Sequence, residues 1–594
     1  MSMHKKYFIR KTRLALAACL LLGPVAFAPA ARAAESAVVS GHEIVVTATR
    51  AERESFNVPS SVDVVDNKEM GRTPRGTIAE QLQDVPGIEV TDGGMGGGAK
   101  RVQIRGESPA RVLILIDGMK ISEQKSMEGS MIMIDPLNVE RVEVIKGPAS
   151  VLYGSEAIGG VVNIITKKGG DRPVQGAVAV TGDTSNDSIS PYLSLYGAYE
   201  GFSYRAAGDY TDAGDKRGSS EPVENSGYRQ RNASAYLDYA WTRGKAGFGY
   251  DHFWSRIHIP GADSGDAHVE LDLPKWQRDR YYGFLELNQL SDRLPKIRLV
   301  AFVQETRKDF YNDITVNTRT PAGPGYMIMD VWQHPFTLNE QRSYGGTLQA
   351  DWTVGDHYLI TGADYLYDDL KATDDRLGRV KITQYIPPLF APNVIADTST
   401  RDLYNYEAYQ QTLALFVQDE WTFHPDWTLT AGLRFTLLES SLHGNNNPAL
   451  STGTDRDSHP TASLGLVYAG LKDWRLRLNY AQGYRYPLLN QLYIGTTHGG
   501  SGTAYPNPKL KPETSQNFEA GARYSAGGLS ADLSLYYNRA RNYISMRPIP
   551  GTSDAIFSNV GRAETGGAEL TLGYTLPVGL EPYLSGAYMR RVFD

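Results

Sequence analysis

The chain has 594 residues, of which 41% are hydrophobic, 60 are basic and 67 are acidic. A bundle of membrane helices is excluded, because it needs repeated apolar runs of about 20 residues and only residues 14–28 form a long one. This run follows basic residues and precedes Ala31-Arg32-Ala33, the order of a secretory signal peptide. We therefore expect residues 1–33 to be removed during export. The remaining 54 basic and 67 acidic residues carry a net charge of −13, which argues against nucleic acid as a partner.

The only cysteine, Cys19, lies inside the predicted signal peptide. The exported chain therefore forms no disulfide, and its stability must come from burial and from closed hydrogen bonding. Tyrosine outnumbers phenylalanine by 36 to 17, which suits a boundary where a ring is buried while its hydroxyl stays wet. Three classes remain open at this point: a soluble all-β secreted protein, a periplasmic enzyme and an outer-membrane barrel.

Residues 56–170 have the pattern of a small mixed α/β domain. Residues 77–85 predict a short helix that Pro86-Gly87 ends, and compact strands are predicted at residues 102–105, 112–117 and 139–145. Taken alone, these elements fit a soluble enzyme domain. The glycine run at residues 93–98 is followed by a strand pattern instead of the helix N-terminus that a phosphate-binding loop needs. We therefore interpret it as a mobile apical loop and predict no enzymatic activity.

Beyond residue 171 the chain is a series of alternating segments separated by Gly, Asp, Asn and Pro. Residues 529–537 and 568–576 place apolar side chains at every second position, which predicts strands. Residues 474–480 alternate arginines with large apolar side chains. A membrane barrel turns the apolar face to lipid and the arginines to a wet lumen, whereas a soluble sandwich buries the apolar face in a core. We expect long loops at residues 311–342 and 375–406.

Several motifs in fixed order resemble the TonB-dependent outer-membrane receptor family, including its haem-receptor branch. The matching segments are residues 42–49 (HEIVVTAT), 105–106 (RG), 115–118 (LIDG), 140–148 (ERVEVIKGP), 153–166 (YGSEAIGGVVNIIT) and 507–513 (NPKLKPE). The resemblance implies a membrane all-β protein, an antiparallel transmembrane β-barrel of about 22 strands with an N-terminal α/β plug domain inside it. It also implies active import across the outer membrane of a Gram-negative bacterium, in contact with outer-membrane lipid.

The resemblance divides the chain into four parts. Residues 1–33 are the signal peptide, residues 34–55 an arm carrying the TonB box, residues 56–170 the plug and residues 171–594 the barrel. From Leu510 to the end only 84 residues remain, enough for roughly four or five strands of about 9 to 11 residues with their turns. The family normally continues further from this point. We therefore expect an incomplete, C-terminally truncated barrel.

The arm is expected to bind TonB, which works with its inner-membrane energising complex. The segment is rich in β-branched residues and can add as a strand to the edge of a partner's sheet, so that main-chain hydrogen bonds transmit a pull. The alternative is a plain N-terminal tail with β propensity. The residues assigned to TonB binding are Glu43, Ile44, Val45, Val46, Thr47 and Ala48.

Contacts between plug and barrel are expected to be charged, because water can resolvate charges when the plug moves. In the family, plug arginines pair with barrel carboxylates. By motif position the resemblance assigns Arg105 and Arg141 to the plug side, with Glu513 and Glu519 as their partners. The alternative is that these four residues are ordinary surface charges.

The ligand prediction depends on the segment Tyr484-Arg485-Tyr486-Pro487, then His498, then residues 507–510. Haem receptors carry a Phe-Arg-Ala-Pro box and an Asn-Pro-Asn-Leu box that flank an axial histidine. This chain departs from the first box at Tyr484 and Tyr486 and from the second at Lys509. The resemblance implies that His498 ligates the iron of haem, with Tyr484, Arg485 and Tyr486 beneath it. Haem is then transported cargo, and no cofactor is built in.

One departure from the haem receptors keeps other ligands open. No histidine lies between His42 and His252, so the plug supplies no second axial histidine. The plug loops instead present methionines, which ligate haem or copper weakly: Met95, Met127 and Met131. Later histidines are alternatives for the second axial ligand: His258, His268, His334, His443 and His459. A ferric siderophore of the catecholate type is the second hypothesis, followed by cobalamin or another metal complex. A passive porin-like barrel is the third class.

Overall fold

The computed structural model describes residues 45–46, 50–67, 70, 76–92, 100–126, 129–261, 266–498 and 502–593. The predicted signal peptide and Glu43, Ile44, Thr47 and Ala48 of the predicted TonB box lie outside these residues. Within the described ranges, no helix is long and apolar enough to cross a bilayer.

The N-terminal part forms the small α/β domain that the sequence predicts. Its elements are β1 Val45–Val46, β2 Arg53–Glu54, β3 Ser61–Asp66, α1 Ile78–Gln81, β4 Ile88–Asp92, β5 Lys100–Ile104, β6 Val112–Ile116, β7 Met119–Lys120, β8 Val139–Lys146, α2 Ser150–Tyr153 and β9 Gly160–Thr166. Five strands form a sheet in the order β3-β8-β9-β6-β7, in which β6 and β9 run parallel. Parallel strands covered on both faces are continuously apolar, and all five residues of β6 are buried.

The helix α1 is shorter than residues 77–85 predict. Thr77 caps it by accepting a hydrogen bond on Oγ1 from the Glu80 main-chain N–H at 3.2 Å, which is half of a capping box. The chain turns at Pro86-Gly87, where Gly87 has a φ of 79° that favours glycine. The helix packs on the sheet in a core that includes Val65, Ile78, Leu82, Val102, Ile114, Val142 and Val162.

The described residues after β9 are mostly β-strands, nearly all of them paired antiparallel. They are β10 Gln175–Asp183, β11 Ser188–Tyr199, β12 Phe202–Ala213, β13 Lys216–Arg217, β14 Pro222–Val223, β15 Tyr228–Trp241, β16 Gly244–Ile259, β17 Ala267–Asn288, β18 Lys296–Ala322, β19 Gly325–Val354, β20 His357–Ile386, β21 Ala391–His424, β22 Trp427–Asn445, β23 Gly453–Tyr468, β24 Trp474–Arg485, β25 Thr496–His498, β26 Gly502–Tyr505, β27 Glu513–Ala526, β28 Leu529–Arg541, β29 Ile544–Pro548, β30 Ala555–Asn559, β31 Arg562–Tyr574 and β32 Tyr583–Phe593. In the described residues, 17 of them form one sheet that follows chain order from β10 to β32, without β13, β14, β25, β26, β29 and β30.

The two faces of this sheet differ as the alternating pattern predicts. In β24, Leu476 and Leu478 are exposed, whereas Arg477 between them is only 2% exposed and faces the plug side. Leu433, at 59% exposed, and Leu415 belong to the same outer apolar face on other strands. An exposed apolar band over a polar lumen is the arrangement of a membrane barrel. The predicted membrane all-β fold with an internal plug is confirmed.

The predicted long loops at residues 311–342 and 375–406 are wrong. Strands β18 and β19 stay paired up to Ala322 and Gly325, and β20 and β21 up to Ile386 and Ala391. Cross-strand ion pairs such as Arg379 to Asp397, at 2.7 Å, support this pairing. The segments therefore continue the barrel wall as hairpins.

The chain between β24 and β27 folds into the barrel mouth. A π-helical turn at Asn490–Ile494 is fully buried, and β25 and β26 join β30 and β29 in a four-stranded sheet. The buried side chains of this region form one apolar cluster with the wall strands, namely Tyr406, Leu438, Leu442, Tyr484, Tyr486, Leu489, Leu492, Tyr493, Ile494, Leu510, Ile544 and Phe557.

Candidate functional site: the plug and barrel contacts and the mouth

Arg105 joins the plug to two barrel strands. Its Nη1 lies 2.8 Å from Glu519 Oε2 on β27, and its Nε lies 2.9 Å from Glu569 Oε1 on β31. The guanidinium also stacks over the Tyr536 ring, 4.1 Å from the centroid. Burial alone would lower the pKa of Arg105, but the two carboxylates raise the pKa above its ordinary value. The plug charge is therefore kept, and within the described residues its hydrogen-bond partners are barrel carboxylates.

A second buried cluster surrounds Glu513 at the start of β27. Arg111 of the plug donates Nε and Nη2 to its two oxygens at 2.8 and 2.9 Å, and Arg485 lies 3.1 Å away. The main-chain N–H of Ile544 donates to the same carboxylate at 2.7 Å. Sequence reasoning missed Arg111, although a lone arginine directly before the apolar strand β6 is a signal that could have identified it.

Arg141 differs from the prediction. Its Nη2 lies 2.8 Å from Glu143 Oε1 on the same strand, β8, and not from a barrel carboxylate. Residues two apart on a strand share a face, and Glu143 is fully buried in the plug sheet. The charge of Arg141 therefore neutralises a carboxylate of the plug itself.

The described part of the predicted TonB box is already paired with its own chain. Val45 and Val46 of β1 lie antiparallel to Glu54 and Arg53 of β2. The arm is held to the wall close by, because the Arg50 guanidinium binds both Asp364 oxygens at 3.2 and 2.9 Å. A partner strand added to this arm would displace or extend this two-stranded ribbon.

The Tyr484 to Pro487 segment lies against the plug. The Tyr484 main-chain N–H donates to Ser150 Oγ and that of Tyr486 to Ser155 Oγ, each at 3.0 Å. The Tyr484 hydroxyl donates to Asp457 at 2.6 Å, and the Tyr486 hydroxyl donates to Asp455 at 2.7 Å. Both rings are buried. Their hydroxyls are thus engaged with wall carboxylates beneath the mouth.

His498 ends β25, and its main chain pairs with Gly502 of β26. The next strand, β30, lies parallel to β26 through Ala504 and Ala555. The segment leading to β25 is tied to the plug, since Leu489 N–H donates to Gln124 Oε1 at 3.3 Å and Asn490 N–H donates to Gln124 O at 3.2 Å. The main chain around His498 therefore belongs to a sheet built by two loops over the plug.

Gln124 also binds the barrel wall. Its Nε2 donates to Asp368 at 2.8 Å and to Gln410 at 3.1 Å, and its main-chain N–H donates to Gln341 at 2.8 Å. Lys125 beside it lies 2.7 Å from Asp374, with both side chains buried. This plug loop leads to the candidate ligands Met127 and Met131, and its described part is packed between wall and mouth.

The other candidate iron ligands have different roles or lie elsewhere. Met131 packs with Met133, Phe253 and Trp276 in an apolar cluster between plug and wall, while Met95 and Met127 are outside the described residues. Among the later histidines, His459 stacks on Tyr484 with 4.5 Å between ring centroids, and His268 is part of β17. The other three lie near carboxylates: His258 2.7 Å from Asp272, His334 3.1 Å from Asp313, and His443 3.9 Å from Glu407.

These contacts define a class of protein: a membrane barrel whose lumen is occupied by a separately folded plug held by buried ion pairs. A profile of the TonB-dependent receptor plug domain matches residues 54–161, and a profile of the TonB-dependent receptor-like β-barrel matches residues 168–590. The chain belongs to the TonB-dependent receptor family. It is an outer-membrane receptor of a Gram-negative bacterium and not an enzyme.

Characterised relatives are similar over most of their length. The hemin receptor of Yersinia pestis is 24% identical over 568 residues, covering 89% of this chain and 75% of that protein. The vitamin B12 transporter BtuB of Photobacterium profundum is 24% identical over 580 residues, covering 95% and 80%. The iron-regulated outer membrane virulence protein of Vibrio cholerae is 25% identical over 592 residues, covering 93% and 78%.

Solved structures share the fold. The copper transporter OprC superposes with a TM-score of 0.68 at 20% identity, covering 90% of this chain and 80% of that one. The siderophore receptor PiuA from Acinetobacter baumannii superposes with a TM-score of 0.67 at 18% identity, covering 93% and 82%.

Proposed function

We propose that this receptor imports haem by a TonB-dependent mechanism, with His498 as an axial ligand of the iron. The observation that carries the proposal is the position of the His498 main chain in a paired strand of the mouth sheet. An imidazole suits ferric haem iron, and a ligand on paired main chain costs less conformational entropy to order than one on a free loop. The similarity to a hemin receptor supports this ligand.

The tyrosines of the Tyr484 to Pro487 segment have a supporting role in this proposal. Because the hydroxyls of Tyr484 and Tyr486 donate to Asp457 and Asp455, they brace the mouth and do not bind iron. Arg485 likewise pairs with Glu513. The predicted site thus divides into one ligand residue and a buried floor that joins it to the plug.

Energy coupling follows from the arm and the anchors. TonB binds the segment of residues 43–48 by strand addition and pulls on the plug. The plug contacts at Arg105 and Arg111 are ionic, so water entering the lumen can resolvate them as they separate. Binding at the mouth and force at the arm then act on the same plug, since the Gln124 loop contacts the segment that leads to His498.

The test is a haem titration of the purified receptor, followed by the Soret band. Wild type should shift the band at one haem per receptor, and His498→Ala should lose that shift and bind at least about tenfold more weakly, the loss of about 1.4 kcal/mol. His424→Ala is the matched control, because His424 is an exposed strand residue beside Asp426 and is not among the candidate ligands. Identical spectra for wild type and His498→Ala contradict the assignment of His498.

A ferric catecholate siderophore is the second candidate. The observation in its favour is a group of arginines on the lumen wall, among them Arg205, Arg278 and Arg280, which suits an anionic complex. Tight binding of a ferric catecholate together with no haem spectrum would select this ligand over haem.

A further inference from the structure

A small cavity lies between the plug and wall strands β12, β15, β16 and β17. Its volume is 40 Å³, room for very few water molecules. Four cationic residues and two carboxylates are among those that line it: Arg205, Arg278, Arg280 and Lys167, and Asp117 and Asp251. The charged lining therefore has an excess of two positive charges.

Arg278 on β17 is incompletely paired. It is 2% exposed, and its Nε and Nη1 have no hydrogen-bond partner among the described residues. Its Nη2 donates to the Met133 carbonyl at 2.9 Å, and Asp251 is 3.5 Å away. A buried guanidinium with unpaired N–H groups beside a cavity can donate hydrogen bonds to an anion.

Arg280 stands two residues along the same face and repeats the arrangement. Its Nη1 donates to the Ile116 carbonyl at 3.2 Å, while its Nε binds Asp251 at 2.7 Å. Both arginines therefore hold the plug through neutral main-chain oxygens. The anchors at Glu513 and Glu519 on β27 hold it through full ion pairs instead.

The two kinds of contact differ in what their separation exposes. When the plug moves away from β27, buried charges of both signs lose their partners. At Arg278 and Arg280 the described plug residues supply carbonyl groups and no directly bonded carboxylate, so moving the plug away from β17 releases two arginine donors without separating a direct ion pair there. The released donors, together with the open N–H groups of Arg278, then face the widened gap.

We propose that Arg278 and Arg280 form an anion subsite on the barrel wall, which receives a carboxylate of the transported ligand as it passes the displaced plug. The inference rests on the proposed import of haem, whose two propionates supply such carboxylates. In the resting receptor the cavity is too small for the ligand. The subsite therefore binds the ligand while it passes through the barrel and does not contribute to its capture at the mouth.

The test compares uptake of haem with uptake of haem dimethyl ester, whose propionates are neutral, in cells that produce the full receptor. Arg278→Gln should slow haem uptake about tenfold, as expected for one lost charge-assisted contact, and leave surface binding of haem unchanged. Uptake of the ester should be slow in wild type and unaffected by Arg278→Gln. Arg278→Lys should restore much of the haem uptake.

Arg434→Gln is the matched control. Arg434 is another buried wall arginine that donates to a plug carbonyl, Leu152 O at 3.4 Å, but it does not line the cavity. Because Arg434 also pairs with the arm anchor Asp364 at 2.6 Å, its loss should change haem and ester uptake by the same factor and leave their ratio at the wild-type value. Equal slowing of haem and ester by Arg278→Gln, or no slowing of haem, would overturn the subsite.

Failure of the proposed function gives a different result. If wild type binds no haem at the cell surface, the haem assignment is overturned. The Arg278→Gln variant is then scored on uptake of a ferric catecholate, an anionic cargo of the second candidate, and unchanged uptake would overturn the subsite as well.

Discussion

Replacing Glu513 with glutamine should loosen the plug more than any substitution at an exposed ion pair. Glu513 is fully buried and accepts from Arg111 at 2.8 and 2.9 Å and from Arg485 at 3.1 Å. Glutamine keeps one acceptor oxygen but turns an N–H₂ group toward two guanidinium groups. Breaking a buried pair in this way costs about 3–5 kcal/mol, which corresponds to a plug-open population roughly a hundredfold to a few thousandfold larger.

The assay uses the absence of cysteine from the chain after Cys19. A cysteine introduced at Ala157, a fully buried plug position, reacts with a thiol reagent only when the plug opens. When opening and closing are fast, the labelling rate follows the open population. Glu513→Gln should therefore accelerate labelling of Ala157→Cys by at least about a hundredfold, a factor that follows from the lower energy bound.

Glu420→Gln is the control for removing a barrel carboxylate that pairs with an arginine. Glu420 lies 2.8 Å from Arg53, but the side chains are 18% and 27% exposed. Such a pair is worth about 0–1 kcal/mol, so labelling should change by no more than about fivefold. Labelling of Glu513→Gln at the wild-type rate would refute the view that buried ion pairs hold the plug.

Three further predictions use the same labelling assay. Burial raises the pKa of Glu123 above its usual 4.5. At pH 7 the cysteine at position 157 should therefore be labelled no faster in Glu123→Gln than in the protein with Glu123. As the pH falls from the raised pKa toward 4.5, the protein with Glu123 should gain stability relative to the variant. Burial would raise the pKa of Asp117, but Lys168 and its other partners keep the pKa below the usual 3.8. The greater plug stability of wild type over Asp117→Asn should be complete above pH 3.8 and should disappear as the pH falls through the lowered pKa. A stability difference that does not depend on pH would contradict an electrostatic origin. Gln124→Ala removes the side-chain contacts to wall and mouth, at a cost of about 1–3 kcal/mol, and should accelerate labelling about fivefold to a hundredfold; an unchanged rate would show that the loop contributes nothing to holding the plug.

The fold was predictable because it depends on local periodicity. The alternation around Arg477 specifies one lipid-facing and one lumen-facing side whatever the neighbours are. The hairpins that extend strands β18 to β21 were not predictable from the sequence, because their polar composition fits loops equally well. Cross-strand pairs such as Arg379 with Asp397 become visible only once the register is known.

The plug contacts were predictable only in part. Arg105 was assigned from its motif position, and the structure brings it to Glu519 and Glu569. The same reasoning misplaced Arg141, since a sequence does not show that Glu143 two residues away needs its charge. Arg111 was missed because its partner Glu513 lies 402 residues away, and such a pairing depends on how the plug sits in the lumen.

The segment around Tyr484 illustrates a related difficulty. Its residue types suit a ligand site and a buried floor equally well. Only the contacts to Ser150, Ser155 and Asp457 show that its main chain and tyrosine hydroxyl are engaged within the protein.

The most direct test of TonB-dependent haem import is the accumulation of radiolabelled haem iron by intact cells whose receptor lacks residues 43–48. This deletion spares Arg50, which anchors the arm to Asp364, and a deletion of equal length at residues 35–40 serves as the control. The deletion of residues 43–48 should leave haem bound at the cell surface and abolish accumulation, while the control accumulates iron like wild type. Accumulation at the wild-type rate without residues 43–48 would contradict energised import and would indicate a passive pore.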